Sequence, residues 1–180
     1  MAKVRDANAQ IALVGMMGCG KTTVGKLLSE ALDKPFCDLD EVIQQRTNQT
    51  VNEFFQQHGE FEFRACEAQV LRDVPRSHAG AILATGGGTP LHYDNMAFLN
   101  ANYLTIYLEI DAEHLVARLD KQRDTRPLLN RDDWQDFLAE LVEQRGPVYE
   151  RADATVEVTG GDSEAAARNI VEALPQLTGH

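Results

Sequence analysis

Cysteine is scarce in this chain: three residues, Cys19, Cys37 and Cys66, among 180. An odd count without metal-type spacing indicates neither a disulfide framework nor a zinc site. Long hydrophobic runs are missing, and none approaches the ~20 residues that a membrane span needs. The first residues, Met1 to Asn8, carry no apolar stretch, so no secretory signal is expected. The expectation is a cytoplasmic protein with no membrane partner. Positive charge is also in short supply, with 17 Lys and Arg against 28 Asp and Glu and a net charge of -11. That balance argues against nucleic acid, which demands a basic surface. It leaves small anionic ligands open, because they respond to local charge. Proline and glycine punctuate single turns, and there is no linker, internal repeat or low-complexity tract. What remains, 43% hydrophobic and 25% charged residues, is an ordinary globular composition. The length favours one domain over residues 1–180. No face reads as a dimer patch, so a monomer is the default.

The stretch that is present and organises the rest is Gly15-Met16-Met17-Gly18-Cys19-Gly20-Lys21-Thr22. It reads G-x-x-x-x-G-K-T, a phosphate-cradling loop. Ile11-Ala12-Leu13-Val14 before it is an apolar run of the kind that forms a buried parallel strand. After it, Val24, Leu27, Leu28, Ala31 and Leu32 share one helical face. The motif therefore sits between a strand and a helix start. Glycines let the backbone turn its N–H groups toward a phosphate, and the helix N-terminus adds partial positive charge. Lys21 suits the β- and γ-phosphates, and the Thr22 hydroxyl suits Mg²⁺.

Further along, Phe36 to Asp40 reads as a short strand ending in two carboxylates, Asp38 and Asp40, spaced so that both point the same way. They serve either a Mg-nucleotide site or the cap of the following helix. Thr50 to Gln57 and Glu60 to Arg72 read as helices broken near His58-Gly59. On the second, Arg64 and Glu67 stand at i, i+3; the plain reading is a solvated surface ion pair. Ala81 to Ala84 is a buried strand that runs into Thr85-Gly86-Gly87-Gly88-Thr89-Pro90. Three consecutive glycines serve either a flexible turn or the close approach of a ligand to backbone. Tyr93 to Asn100 reads as a helix, Tyr103 to Leu108 as a strand, and Asp111 as the cap of a helix holding Leu115, Val116 and Leu119. The basic segment 121–131 reads as a mobile lid. Asp132 or Asp133 opens a helix that stops at Arg145-Gly146-Pro147. Ala154 to Val158 is a fifth strand, and Asp162 or Ser163 caps a last helix. Strands alternating with helices imply an α/β fold with a parallel sheet covered on both faces.

These residues resemble the shikimate kinase family, nucleoside-monophosphate-kinase-like members of the P-loop fold. The resemblance runs from about Ile11 to Leu174 and rests on five motifs in order: the phosphate loop, Asp38-x-Asp40, Gly59-Glu60-x-x-Phe63-Arg64-x-x-Glu67, Gly86-Gly87-Gly88, and Arg126-Pro127-Leu128-Leu129. Arg145-x-x-x-Tyr149 is a weaker sixth. The resemblance implies a three-layer fold whose five-stranded parallel sheet has the order 2-3-1-4-5. It also implies a substrate-binding helical region at about 40–72. The implied activity is ATP-dependent phosphorylation of the shikimate 3-hydroxyl by a phosphotransferase of aromatic amino acid biosynthesis. ATP and shikimate are the implied partners and Mg²⁺ the implied cofactor.

By motif, Gly18, Cys19, Gly20, Lys21, Thr22 and Thr23 correspond to the ATP-binding set. Thr22 corresponds to the direct Mg²⁺ ligand, with Asp38 holding the ion through water. Asp40 corresponds to the residue that contacts substrate hydroxyls and accepts the proton. Arg64 and Arg145 are similar to the arginines that bind the shikimate carboxylate, Glu67 to the acid that orients Arg64, and Gly86 and Gly87 to backbone contacts with substrate. Arg126 resembles the lid arginine on the transferring phosphoryl group, and Arg118 a residue near the adenine.

The chain departs from the family pattern at Cys19, Gln44 and Asn48. Asn48 stands at a glycine position, and asparagine tolerates left-handed backbone. Cys19 is either a small neutral loop residue or, beside a helix N-terminus and Lys21, a reactive thiol whose alkylation would block ATP. The rival on the same fold is a gluconate kinase. A rival of another class, a GTP-dependent switch, finds only Asn130-Arg131-Asp132-Asp133 to support it, and no Asp-x-x-Gly exists in the chain.

Overall fold

The structure, a computed structural model, describes residues 10–120 and 131–178. At its centre lies β1 (Ile11–Val14), buried at every position. It pairs in parallel with β3 (Ile82–Ala84) on one side and β4 (Leu104–Glu109) on the other. β2 (Phe36–Asp38) extends the sheet beyond β3 and β5 (Ala154–Glu157) beyond β4, giving five strands in the order β2-β3-β1-β4-β5. The expected fold and strand order are borne out. Interior parallel strands have both faces covered, so they read as unbroken apolar runs. The edge strand β5 alternates half-buried with exposed residues, as one with a wet side should.

Helices cover the sheet. α1 (Lys21–Leu32) packs against α7 (Ser163–Thr178), while α2 (Leu39–Thr47), α3 (Val51–Ser77) and α4 (Asn95–Asn102) form a second group. α5 (Ala112–Asp120) and α6 (Trp134–Tyr149) pack on each other. Val24 and Leu28 of α1 are fully buried, each worth roughly 1.5–3 kcal/mol relative to exposure. Leu27 and Leu32 are half-buried, and Ala31 lies exposed against the expectation. Among the described residues no helix is long and apolar enough to cross a membrane.

Most strand and helix ends differ from the sequence reading by one or two residues, and three differences bear on the site or on helix length. β2 ends at Asp38, and Asp40 already stands in the first turn of α2. α3 is kinked at Gly59 (φ 79°) as expected, but it runs past Arg72 to Ser77 with Pro75 in its last turn. α6 does not stop at Arg145; it carries Gly146 and Pro147 inside its last turn and ends at Tyr149. Each proline forfeits one i→i−4 hydrogen bond, but so close to the C-terminal end almost no helix lies beyond it to be disrupted. The Thr50 capping box, the Asp111 cap of α5 and the Asp162 cap of α7 all form, the last through Asp162 Oδ1 accepting from Glu164 N and Ala165 N at 2.9 Å.

Because all strands run one way, the C-terminal ends of β1, β2 and β3 open on one side of the sheet. The register pairs Leu13 and Asp38 each with Ala84. The phosphate loop, the Asp38 carboxylate and the glycine run therefore leave the sheet side by side.

Candidate active site

The loop after β1 curls over the start of α1. Gly18 (φ 80°) and Gly20 (φ 105°) take left-handed backbone that other residues rarely adopt, and Gly20 is the residue that opens the helix. Lys21 is almost buried; its Nζ donates to the carbonyls of Gly15 at 2.8 Å and Met16 at 2.7 Å. Cys19 is fully buried beneath it, with Sγ 3.6 Å from Lys21 Nζ. A thiol must be reachable to react, and the burial of Cys19 favours the reading of a small loop residue over that of a reactive one.

Of the two jobs that the sequence offered Asp38 as alternatives, the helix cap is formed, and the second carboxylate oxygen faces the phosphate loop. Asp38 Oδ1 caps α2 by accepting from Asp40 N at 3.0 Å, and Oδ2 accepts from the Thr22 hydroxyl at 2.9 Å. A hydroxyl and a carboxylate oxygen side by side at a phosphate loop are the hard oxygen donors that Mg²⁺ prefers. Among the described residues no cluster of three His, Cys, Asp or Glu could hold a metal.

Around this pair opens a cleft of about 340 Å³, lined by Gly18, Gly20, Lys21, Thr22, Thr23, Asp38, Asp40, Gly86, Gly87 and Arg118, with Met17 and Thr85. Arg118, on α5, reaches its rim: Nη1 donates to the Gly18 carbonyl at 3.0 Å and Nη2 to the Gly161 carbonyl. Asp40 has its carboxyl pushed up to about 6. Burial is the main cause, the charges of Asp38 and Glu67 add to it, and Lys21 and Arg64 oppose it.

The glycine run owes its composition to packing. Gly86, Gly87 and Gly88 all avoid positive φ, so conformational freedom is not the reason. A Cβ on Gly86 would lie 3.0 Å from Thr89 Oγ1, 3.2 Å from Asp40 Oδ1 and 3.3 Å from Glu67 Oε1. On Gly87 it would lie 3.0 Å from Met17 N in the phosphate loop, and on Gly88 2.5 Å from Arg64 Nη2. The sequence suggested that something approaches this backbone closely. The groups that do so are the protein's own.

Arg64 and Glu67 are not a solvated pair. Glu67 is 1% exposed, and its Oε2 accepts from Arg64 Nη1 at 2.9 Å. The Arg64 guanidinium also lies 5.2 Å from the Phe63 ring centre and 5.7 Å from that of Phe55. Arg64 and Arg145 do not line the cleft but stand beside it. Arg145 interacts with the hydroxyl of Tyr149, one turn further along α6. That hydroxyl donates to the Gly87 carbonyl at 2.6 Å, and the ring rests 5.4 Å from that of Tyr107. Sequence reading gave Tyr149 no task, because a helix stopping at Pro147 would not have kept it on the face of Arg145. Arg126 and the lid segment up to residue 130 lie outside the described residues. Arg131 pairs with Asp133 through Nη2 and Oδ2 at 2.6 Å, at the start of α6.

A nucleotide loop thus meets, at three glycines, a carboxylate and a buttressed guanidinium. The shikimate kinase family model matches residues 17–175. The chain belongs to the shikimate kinase family. A shikimate kinase of Parabacteroides distasonis is 37% identical over 171 residues, covering 93% of this chain and 98% of the relative. One from a Nostoc species is 41% identical over 166 residues, covering 92% and 90%. Among solved structures, the shikimate kinase of Bacteroides thetaiotaomicron superposes with a TM-score of 0.84 at 35% identity, covering 92% of this chain and 98% of that one. The Acinetobacter baumannii shikimate kinase, solved with shikimate bound, gives 0.86 at 35% identity and covers 93% of each.

Proposed function

We propose that this chain transfers the γ-phosphoryl group of ATP to the 3-hydroxyl of shikimate. The observation that carries the reading is that Asp40, which lines the cleft together with Lys21 and Thr22, stands beside Glu67 and Arg64 at the glycine run. A phosphoryl acceptor with one carboxylate and several hydroxyls needs a planar cation for the first and a carboxylate for the second. Arg64, with Arg145 beside it, answers the first need, and Asp40 the second. The relatives above are shikimate kinases rather than gluconate kinases, which favours the first of the two substrates considered.

In this reading the loop amides of Gly18 and Gly20 and the Lys21 ammonium hold the β- and γ-phosphates, with Cys19 and Thr23 completing the loop wall. Thr22 and Asp38 would hold Mg²⁺, which when bound neutralises phosphate charge. Arg118 lies against the adenine side of the loop. Arg64 and Arg145 seize the carboxylate, and Gly86 and Gly87 present backbone to the ring. Asp40 takes the proton from the attacking hydroxyl. Its carboxyl near 6 leaves it ionised at neutral pH yet basic enough to accept that proton. Phosphoryl transfer asks the protein for positioning and charge neutralisation rather than covalent help. Arg126 is the remaining cation in this scheme; Arg126→Ala should lower kcat by on the order of 10²-fold, as when a transition-state charge clamp is lost. We read residues 1–180 as one kinase domain, with 40–72 as its substrate-binding region.

The test is ADP release in a coupled assay with ATP and either shikimate or gluconate. Turnover that depends on shikimate is expected. Equal or greater turnover with gluconate would transfer the assignment to the other acceptor, and no dependence on either would leave a nucleotide-binding protein.

A further inference from the structure

Glu67 has two oxygens to satisfy in a place without water, and only one of them faces Arg64. The other, Oε1, accepts from the Thr89 hydroxyl at 2.7 Å. Thr89 is 0% exposed and is the first residue after the glycine run. Its position is fixed from both ends. Its N–H donates to the Gly86 carbonyl at 3.2 Å, and its own carbonyl accepts from Asn95 Nδ2 at 2.9 Å. Asn95, also 0% exposed, passes the constraint on: its Oδ1 accepts from Arg72 Nη1 at 2.8 Å. Arg72 is anchored in turn, through Nη1 to the Ala68 carbonyl at 2.7 Å and through Nη2 to the Tyr93 carbonyl at 2.7 Å. Glu67 and Arg72 belong to the same helix, α3. The bonds therefore close a ring from α3 through the head of α4 and the turn after β3 back to α3.

A carboxylate held at one oxygen only can rotate about its last bond. Held at both, it presents a fixed edge to its partner. We propose that Thr89 is a positioning residue for the acceptor substrate, acting through Glu67 to fix the guanidinium of Arg64, with Asn95 and Arg72 keeping Thr89 in place. This rests on the reading that Arg64 binds the shikimate carboxylate. Thr89 itself touches neither substrate in this scheme. Its effect must reach the acceptor side alone, because none of these hydrogen bonds involves the phosphate loop.

The decisive comparison is steady-state kinetics of Thr89→Val, which removes the hydroxyl at nearly constant volume, beside Thr89→Ser, which keeps it. Loss of one bond to a charged group should raise the shikimate KM about tenfold or more in Thr89→Val, with the ATP KM within about twofold of the parent. Thr89→Ser should return the shikimate KM to within about twofold. If the effect passes through Glu67, adding Thr89→Val to Glu67→Gln should change the shikimate KM by less than about twofold further. If Thr89→Val does not fold, Thr89→Ala replaces it in every comparison. A parental shikimate KM in the hydroxyl-free variant would overturn the proposal. So would an equal rise in both KM values that serine fails to reverse, or a full additional effect on top of Glu67→Gln. A parent enzyme with no shikimate-dependent ADP release would instead sink the assignment of substrate, a result visible before any variant is made.

Discussion

Asp40 is the residue on which the chemistry and the stability of this fold pull in opposite directions. Its carboxyl is raised to about 6, first by burial and then by Asp38 and Glu67. As an acceptor of a proton it must be ionised, so kcat/KM should fall as pH drops through about 6 and be flat above it until another group intervenes. A pH–rate profile with no acid limb between pH 5 and 7 would exclude it as the proton acceptor. Asp40→Asn should cost roughly 10²–10⁴-fold in kcat while ATP affinity, followed by nucleotide binding, stays near parental. For stability the sign is reversed. The folded carboxyl titrates higher than the unfolded one, so its ionisation opposes folding. That penalty is absent below the unfolded value near 4 and grows as pH rises through about 6. Asp40→Asn should therefore melt a few degrees higher than the parent at pH 8 and no higher at pH 4, a gain of roughly 1–2 kcal/mol after allowance for partial solvent access. Lys21 and Arg64 face the same carboxyl and moderate the effect, so Arg64→Met should push the acid limb upward.

At the scale of elements, the glycine run and the helix ends decide how the site is assembled. A methyl on Gly88 meets only the far end of the flexible Arg64 side chain, at 2.5 Å from Nη2. The fold can yield there while the guanidinium cannot stay. Gly88→Ala should keep a near-parental melting temperature yet raise the shikimate KM roughly tenfold with the ATP KM unchanged. Removal of the Tyr149 hydroxyl leaves the Gly87 carbonyl without its 2.6 Å donor. Tyr149→Phe should lower stability by ~1 kcal/mol and kcat/KM roughly fivefold, read by thermal melts and steady-state kinetics.

Strands β1, β3 and β4 were plain in the sequence because buried parallel strands leave no room for polar residues. The phosphate loop was plain because its spacing carries its mechanism. Asp40 was misplaced onto β2, since nothing in Phe36 to Asp40 marks where extended backbone turns helical; the cap that Asp38 provides decides it. The end of α3 was set at Arg72 and that of α6 at Arg145-Gly146-Pro147, whereas both helices run on and carry a proline close to their last residue. The burial of Glu67 and the bonds of Thr89, Asn95 and Tyr149 join residues distant in sequence. Spacing along one chain cannot predict such pairings.

For the molecule as a whole, the parallel arrangement brings the phosphate loop, Asp38, Asp40 and the glycine run to one side of the sheet, around one cleft. Anything that fills it binds only the folded chain. A non-hydrolysable ATP analogue at a hundredfold its Kd should raise the melting temperature by roughly 5–10 °C, and shikimate at the same ratio should add a comparable shift. A shift with the nucleotide but none with shikimate at any concentration would separate the phosphate loop's function from that of the pocket behind it. The net charge of -11 adds a further expectation. Two anionic substrates approach an acidic protein, so added salt should screen the repulsion and leave association with them undiminished or faster at moderate ionic strength.

Gly86 and Gly87 leave bare backbone along the cleft that Lys21 and Asp40 also line. A bisubstrate inhibitor laid along that backbone, with a polyphosphate at one end and a ring carboxylate at the other, would need only a short tether. The tether would have to be unbranched there, because even one carbon added to Gly86, Gly87 or Gly88 would crowd Asp40, Met17 or Arg64.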